Sequence, residues 1–358
     1  MAGQALTRRA VAPADWRPIL GMAAFILLLH VAGWGTLAGL VASGQLPDAA
    51  GSVFGLGLGF TAYTLGMRHA FDADHIAAID NTTRKQLAEG GRPVSVGFWF
   101  SLGHSTVVFV LVGLLSLGAR SLAGQLSDAS SPLQRVAGIA GTLVSGVFLV
   151  LIGVLNLIVL AGIVAVFRRM RRGEFDEAEL EGHLANRGVV NRLIGRATRA
   201  VSRPWHLYPV GLLFGLGFDT ATEVGLLVIA AGASVSLPWY AVLTLPVLFA
   251  AGMSLLDTAD GLFMYYAYGW ANLRPVRKVY YNIAITGLSV AVALGIGGIE
   301  LLSVLADKLG IESGPVAAVA RLDLGHVGFF LAGLFVLAWA CAAAVWKFGR
   351  IEERWSRA

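Results

Sequence analysis

Eight stretches of this chain stay apolar over lengths that suit a bilayer better than a soluble core. They fall at about 19–41, 52–78, 94–118, 136–167, 207–232, 239–266, 279–304 and 323–346. A helix needs roughly 20 apolar residues to span the hydrocarbon layer. Each segment therefore reads as a transmembrane helix, and the expected fold class is an all-α integral membrane protein, a polytopic bundle of eight transmembrane helices. Charge content supports this choice, since 14% of the 358 residues are charged against about a quarter in a soluble domain. Membrane lipid is the expected surrounding.

The placement of Lys and Arg sets an orientation. Of 27 basic residues, 22 fall on one side if the N-terminus is inside, and only Arg120, Arg135, Lys308 and Arg321 fall on the other. Arg68 remains, within the second apolar segment. Both termini are thus expected in the cytoplasm, and the net charge of +5 carries no argument for a nucleic-acid partner. The expected organisation is a single membrane domain. It comprises a cytoplasmic segment 1–18, helices 1–4 over 19–167, a cytoplasmic linker 168–206, helices 5–8 over 207–346, and a cytoplasmic tail 347–358. The first segment lacks a convincing cleavage site and reads as a retained helix. Cys341 is the one cysteine, so no intramolecular disulfide forms. Without Cys pairs or Met clusters the chain does not suit copper(I), which prefers soft sulfur.

Chemistry concentrates in the second segment. Arg68-His69-Ala70-Phe71-Asp72-Ala73-Asp74-His75 places two imidazoles, two carboxylates and a guanidinium within eight residues. Each charged side chain near the bilayer centre costs roughly 2.5–3.5 kcal/mol, so such groups mark function. Imidazole nitrogen and carboxylate oxygen together suit a divalent transition metal. On an ideal helix His69, Asp72 and His75 are spaced about 60° apart and share one broad face. Arg68 lies at its edge, Asp80 returns to it further on, and Asp74 points away unless the helix is distorted.

Other segments carry matching polar groups. In Phe100-Ser101-Leu102-Gly103-His104-Ser105-Thr106, His104 lies about 15 Å deep by helix rise, either a hydrogen-bonded core residue or a ligand. In Leu216-Gly217-Phe218-Asp219-Thr220-Ala221-Thr222-Glu223, Asp219, Thr222 and Glu223 form one stripe about 100° wide. Two acids so close need a cation, a basic partner such as Arg68, or a proton. Asp257 and Asp260 face together in the sixth segment, where the alternative is pairing with Arg274 or Arg277 near the headgroups. Asn156 reads as an interhelical hydrogen bond, and His30 and His326 as core residues. The strings 54–60 and 213–218 echo one another, a weak sign of a parallel repeat.

Taken together, these strings resemble the nickel/cobalt transporter family, whose second helix carries R-H-A-[VF]-D-A-D-H. Residues 68–75 match it without departure. The similarity continues through residues 101–106, 216–223, Gly252-Met253 and Asp257-Thr258-Ala259-Asp260, and covers nearly the whole chain. It implies uptake of Ni²⁺ or Co²⁺ across a bacterial cytoplasmic membrane without ATP. It also carries metal handling to His69, Asp72, Asp74 and His75. Supporting roles pass to Asp80, His104, Asn156, Asp219, Glu223, Asp257 and Asp260. Reconciling Asp74 with helix geometry calls for a break in the second helix, expected around Gly66.

The expected protein is a secondary transporter, not an enzyme. It has no cofactor beyond the transported ion, and no ATPase partner is evident, since no G-x-x-x-x-G-K-[ST] phosphate loop occurs. Alternating access around the second helix is the expected mechanism. The rival readings are an exporter on the same scaffold and an intramembrane zinc enzyme; for the latter, no H-E-x-x-H pair is present.

Overall fold

The structure, a computed structural model, describes residues 15–43, 48–117, 131–170, 201–217, 221–271, 275–322, 324 and 327–348. Asp219, His326, most of the 168–206 linker and the 347–358 tail beyond Phe348 lie outside them. Among the described residues all regular structure is helical. In chain order the helices are α1 (Trp16–Ala42), α2 (Asp48–His69), α3 (Ala73–Ala88), α4 (Val96–Ser116), α5 (Pro132–Met170) and α6 (Leu207–Gly215). These are followed by α7 (Ala221–Ser236), α8 (Trp239–Val242), α9 (Thr244–Ala271), α10 (Pro275–Leu309), α11 (Pro315–Ala320) and α12 (Val327–Phe348). Five described stretches are long and apolar enough to cross a membrane: Trp16–Ala42, Val96–Ser116, Gln134–Gly162, Trp239–Tyr268 and Thr286–Leu309. The chain is a polytopic helical membrane protein.

Three of the apolar segments are not single helices among the described residues; the sixth is interrupted only at Leu243, between α8 and α9. The second divides into α2 and α3, with the break at residues 70–72. The fifth divides into α6, which ends at Gly215 with Leu216 in a turn, and α7, which begins at Ala221. The first break has a local cause. Phe71 and Asp72 donate their N–H groups to the carbonyls of Arg68 and His69, so α2 closes with a tightened last turn. Asp72 then adopts an extended backbone, φ −67° and ψ 144°, and its carbonyl accepts from Ile76 to start α3. Asp favours this N-cap position. The break thus falls beyond Gly66, where the sequence reading placed it. Gly66 serves another purpose: a Cβ there would strike the Phe249 carbonyl of α9.

Close approach of small residues sets the packing. Gly66 and Gly252 seat α2 against α9, meeting the carbonyls of Phe249 and Tyr63. Gly103 and Gly211 do the same for α4 and α6, meeting those of Tyr208 and Phe100. The short α3 is enclosed by α4, α5, α9, α10 and α12. Its Ile76 and Ile79 join the main core with Phe100, Leu149, Ile152 and Met264.

That enclosure makes every residue from His75 to Gln86 buried. Arg84 and Lys85, counted above among cytoplasmic loop residues, are therefore on α3 and inside the fold. The reason is that α3 continues to Ala88, beyond the apolar run that ends near 78. Lys85 pairs with Glu89 at 3.0 Å. At the other end of the hydropathy range, large side chains such as Leu20, Leu27, Phe60, Val136, Phe330 and Leu337 are exposed. Such apolar exteriors suit lipid rather than water.

Candidate metal site

The breaks bring the motifs of separate segments together. His69 ends α2, His75 lies in the first turns of α3, His104 is midway along α4, and Glu223 stands in the first turn of α7. One ring nitrogen from each of His69, His75 and His104 lies within 4.8 Å of the others. The rings pack at centroid distances of 4.5 Å (His69–His75), 4.6 Å (His69–His104) and 4.9 Å (His75–His104). Phe100, one turn before His104, meets His75 edge-on at 4.7 Å and walls one side.

Each imidazole has its own acid. His69 Nδ1 lies 2.7 Å from Asp72 Oδ2 and 2.9 Å from Thr222 Oγ1, while its Nε2 faces His104 Nε2 at 2.9 Å. His104 Nε2 also meets Glu223 Oε1 at 2.5 Å. His75 Nδ1 is 3.4 Å from Asp257 Oδ2. Neither ring nitrogen of His75, and neither carboxylate oxygen of Asp257, has a hydrogen-bond partner among the described residues. His69, His75 and Glu223 expose 1% of their surface and Asp257 none, so these groups are shielded from bulk water.

Magnitudes limit how such a site survives. Asp74 and Glu223 stand in the first turns of α3 and α7, where the helix dipole contributes at most about 2 kcal/mol in a partly buried setting. Desolvating a carboxylate costs several kcal/mol. Dipoles and hydrogen bonds to neutral imidazole leave the balance open, and a dication is a charge that could close it. The donor set fits: metal–imidazole bonds of about 2.1 Å put ligand nitrogens roughly 3.0–3.4 Å apart. His69 Nε2 and His104 Nε2, 2.9 Å apart, already lie near that range, and one nitrogen of each of the three rings falls within 4.8 Å of the others.

The other sequence-derived residues distribute as follows. Asp74 is half-buried, and its Oδ1 accepts the backbone N–H of His75 at 2.9 Å. Arg68 is half-buried at the end of α2 and forms no ion pair among the described residues. Asp80 lies further along α3 and accepts the hydroxyl of Tyr268. Asn156 makes the interhelical hydrogen bond its isolation suggested, donating to Asn81 Oδ1 at 2.8 Å. Asp260 is half-buried one turn after Asp257. His30 is tied to the Ile26 carbonyl and the Tyr63 hydroxyl, away from the cluster.

Sequence reasoning passed over Phe100 and the buried Arg84, Tyr268, Thr286 and Ser289. The uninterrupted polar run from Asp80 to Gln86, continuing a motif helix, was the available signal for Arg84.

A family model described as High-affinity nickel-transport protein matches residues 55–345. The Nickel transporter NicT of Mycobacterium tuberculosis is 57% identical over 351 residues, 98% of this chain and 94% of that protein. The Nickel transporter NixA of Staphylococcus aureus is 47% identical over 346 residues, 96% of this chain and 97% of that protein. The Cobalt transport protein NhlF of Rhodococcus rhodochrous is 43% identical over 330 residues, 91% of each. No solved structure gives a significant match.

Proposed function

The chain belongs to the high-affinity nickel-transport family, a family of transporters rather than enzymes, and on that premise we propose that it is a permease taking up Ni²⁺, Co²⁺ or both across the bacterial cytoplasmic membrane. The single observation that carries the site assignment is the convergence of three desolvated imidazoles from α2, α3 and α4. His69, His75 and His104 are the nitrogen donors. Asp72 balances His69 from behind, Glu223 lies against the donor nitrogen of His104 and so joins the same site, and Asp257 is the carboxylate nearest His75. Asp74 stands beside the cluster in the first turn of α3.

Imidazole donors turn away Mg²⁺ and Ca²⁺, which bind oxygen. Nickel and cobalt are neighbours in the affinity order, so the same donors accept both. That accords with the relatives, two of which are named for nickel and one for cobalt. In the proposed topology, eight spans with both ends cytoplasmic, α2–α3 and α6–α7 each make one interrupted span. Interrupted helices at mid-depth are where secondary transporters bind their ions. Alternating access then turns on movement about these breaks.

The test is uptake of labelled Ni²⁺ into proteoliposomes, with competition by Co²⁺, Zn²⁺ and Mn²⁺. His69→Ala and Asp72→Ala are expected to abolish accumulation while the protein remains in the membrane. Normal uptake by both variants refutes the site, and accumulation only in everted vesicles refutes the direction.

A further inference from the structure

Beyond the histidines, α3 carries a buried charge that the proposed site does not use. Arg84 is 6% exposed and stands nine residues past His75, about 13 Å further along the axis at the α-helical rise. Its guanidinium carbon lies 4.0 Å from the centre of the Tyr268 ring. Nη1 donates to Thr286 Oγ1 at 2.8 Å and Nη2 to Ser289 Oγ at 2.9 Å, both on α10. No carboxylate approaches it within 4.0 Å among the described residues. Hydroxyls and a ring face compensate a buried cation only in part.

The longer-range balance comes from acids. Tyr268 donates its hydroxyl to Asp80 Oδ1, and Asp80 Oδ2 is buried without a hydrogen-bond partner among the described residues. Asp80 and Arg84 stand four residues apart on α3 and so share one helix face. Asp260 lies one turn past Asp257 and about two turns before Tyr268 on the same helix, α9, so it stands between the two along that face. A row of acids therefore leads from Asp257 beside His75, by way of Asp260, to Asp80, and ends at a cation supplied by the chain itself. In the proposed orientation, this is the inward end of the path.

Acids left without a counter-charge in such a place would capture a divalent ion in their own right. We infer that Arg84 is a tethered competitor: it balances the inward end of the acid row, so that a dication leaving His69, His75 and His104 is not held again at Asp80 and Asp260. This rests on the histidine cluster being the transport site. An anchoring role alone would ask only for donors that reach Thr286 and Ser289, whereas competition asks for the positive charge.

Equilibrium dialysis of Ni²⁺ on the purified full-length protein, paired with turnover in proteoliposomes, separates these roles. The wild-type protein and Arg84→Lys are expected to bind one Ni²⁺ per chain. Arg84→Gln keeps donors but no charge, and is expected to bind a second, weaker equivalent. Its turnover should fall on the order of tenfold, as loss of the guanidinium's repulsion lets the ion linger, with KM little changed. Adding Asp80→Asn to Arg84→Gln should return the count to one. A single equivalent in Arg84→Gln overturns the inference. So does a loss of turnover in Arg84→Lys beyond about twofold, because Lys keeps the charge but not the two-pronged fork. No bound Ni²⁺ in the wild-type protein would instead remove the histidine site itself.

Discussion

Replacing Asp72 with Asn tests how the cluster presents its lone pairs. His69 Nδ1 lies between Asp72 Oδ2 at 2.7 Å and Thr222 Oγ1 at 2.9 Å, and its Nε2 points at His104. The hydrogen-bond partner of Nδ1 is the Thr222 hydroxyl, and Asp72 Oδ2 makes no aligned hydrogen bond among the described residues. The carboxylate charge at 2.7 Å nonetheless favours the ring proton on Nδ1 and leaves Nε2 bare toward the metal. This is the carboxylate–histidine arrangement that orients metal ligands, and its loss costs about 10–100-fold in metal affinity, or roughly 1.4–2.7 kcal/mol. An Asn amide can donate to Nδ1 instead, which places the proton on Nε2 and blocks the donor. Thr222→Val removes only a neutral hydrogen bond, worth about 0.5–1.5 kcal/mol, and leaves the carboxylate in charge. Ni²⁺ binding to purified protein should therefore weaken in the order wild type, Thr222→Val, Asp72→Asn. Affinity of Asp72→Asn within twofold of wild type, or a larger loss in Thr222→Val, would refute this reasoning. A loss well beyond 100-fold would make Asp72 a direct ligand instead.

Three further outcomes are expected. His104→Ala removes one of three donors and should abolish high-affinity uptake, as read by labelled Ni²⁺ at submicromolar concentration, with normal membrane abundance on immunoblots. Acidification should weaken Ni²⁺ binding and alkalinisation strengthen it, because imidazole binds metal only as the free base; a pH-independent isotherm contradicts an imidazole site. Gly103→Ala forces a methyl against the Tyr208 carbonyl and should destabilise the protein by roughly 1–3 kcal/mol. Gly35→Ala, which meets nothing within 4 Å, should not, and thermal unfolding in detergent distinguishes the two.

Hydropathy located the long apolar helices, because lipid exposure demands long apolar runs with their own backbone bonds. The segments read at 19–41, 94–118, 136–167 and 279–304 lie on α1, α4, α5 and α10. What hydropathy could not register was the break at 70–72, since Ala70 and Phe71 are as apolar as their neighbours and only Asp72 marks the cap. The ideal-helix reading turned Asp74 away and put His69, Asp72 and His75 on one face, and the break expected from the family resemblance was set too early, at Gly66. The structure brings the two histidines together by a turn between helices instead. The residues that complete the cluster were visible as motifs, yet their meeting was not: His75 with Asp257, and His104 with Glu223, are separated by 182 and 119 residues of chain. Arg84 was read as a loop cation because amphipathic and enclosed helices look alike when the enclosing partners are distant in sequence.

X-ray absorption at the nickel edge, recorded on the Ni²⁺-loaded protein and on His104→Gln, examines the assignment at the metal itself. The outer-shell scattering should report three imidazoles in the wild-type protein and two in the variant. A spectrum of oxygen ligands alone, or one unaltered by losing His104, would contradict a site assembled from α2, α3 and α4.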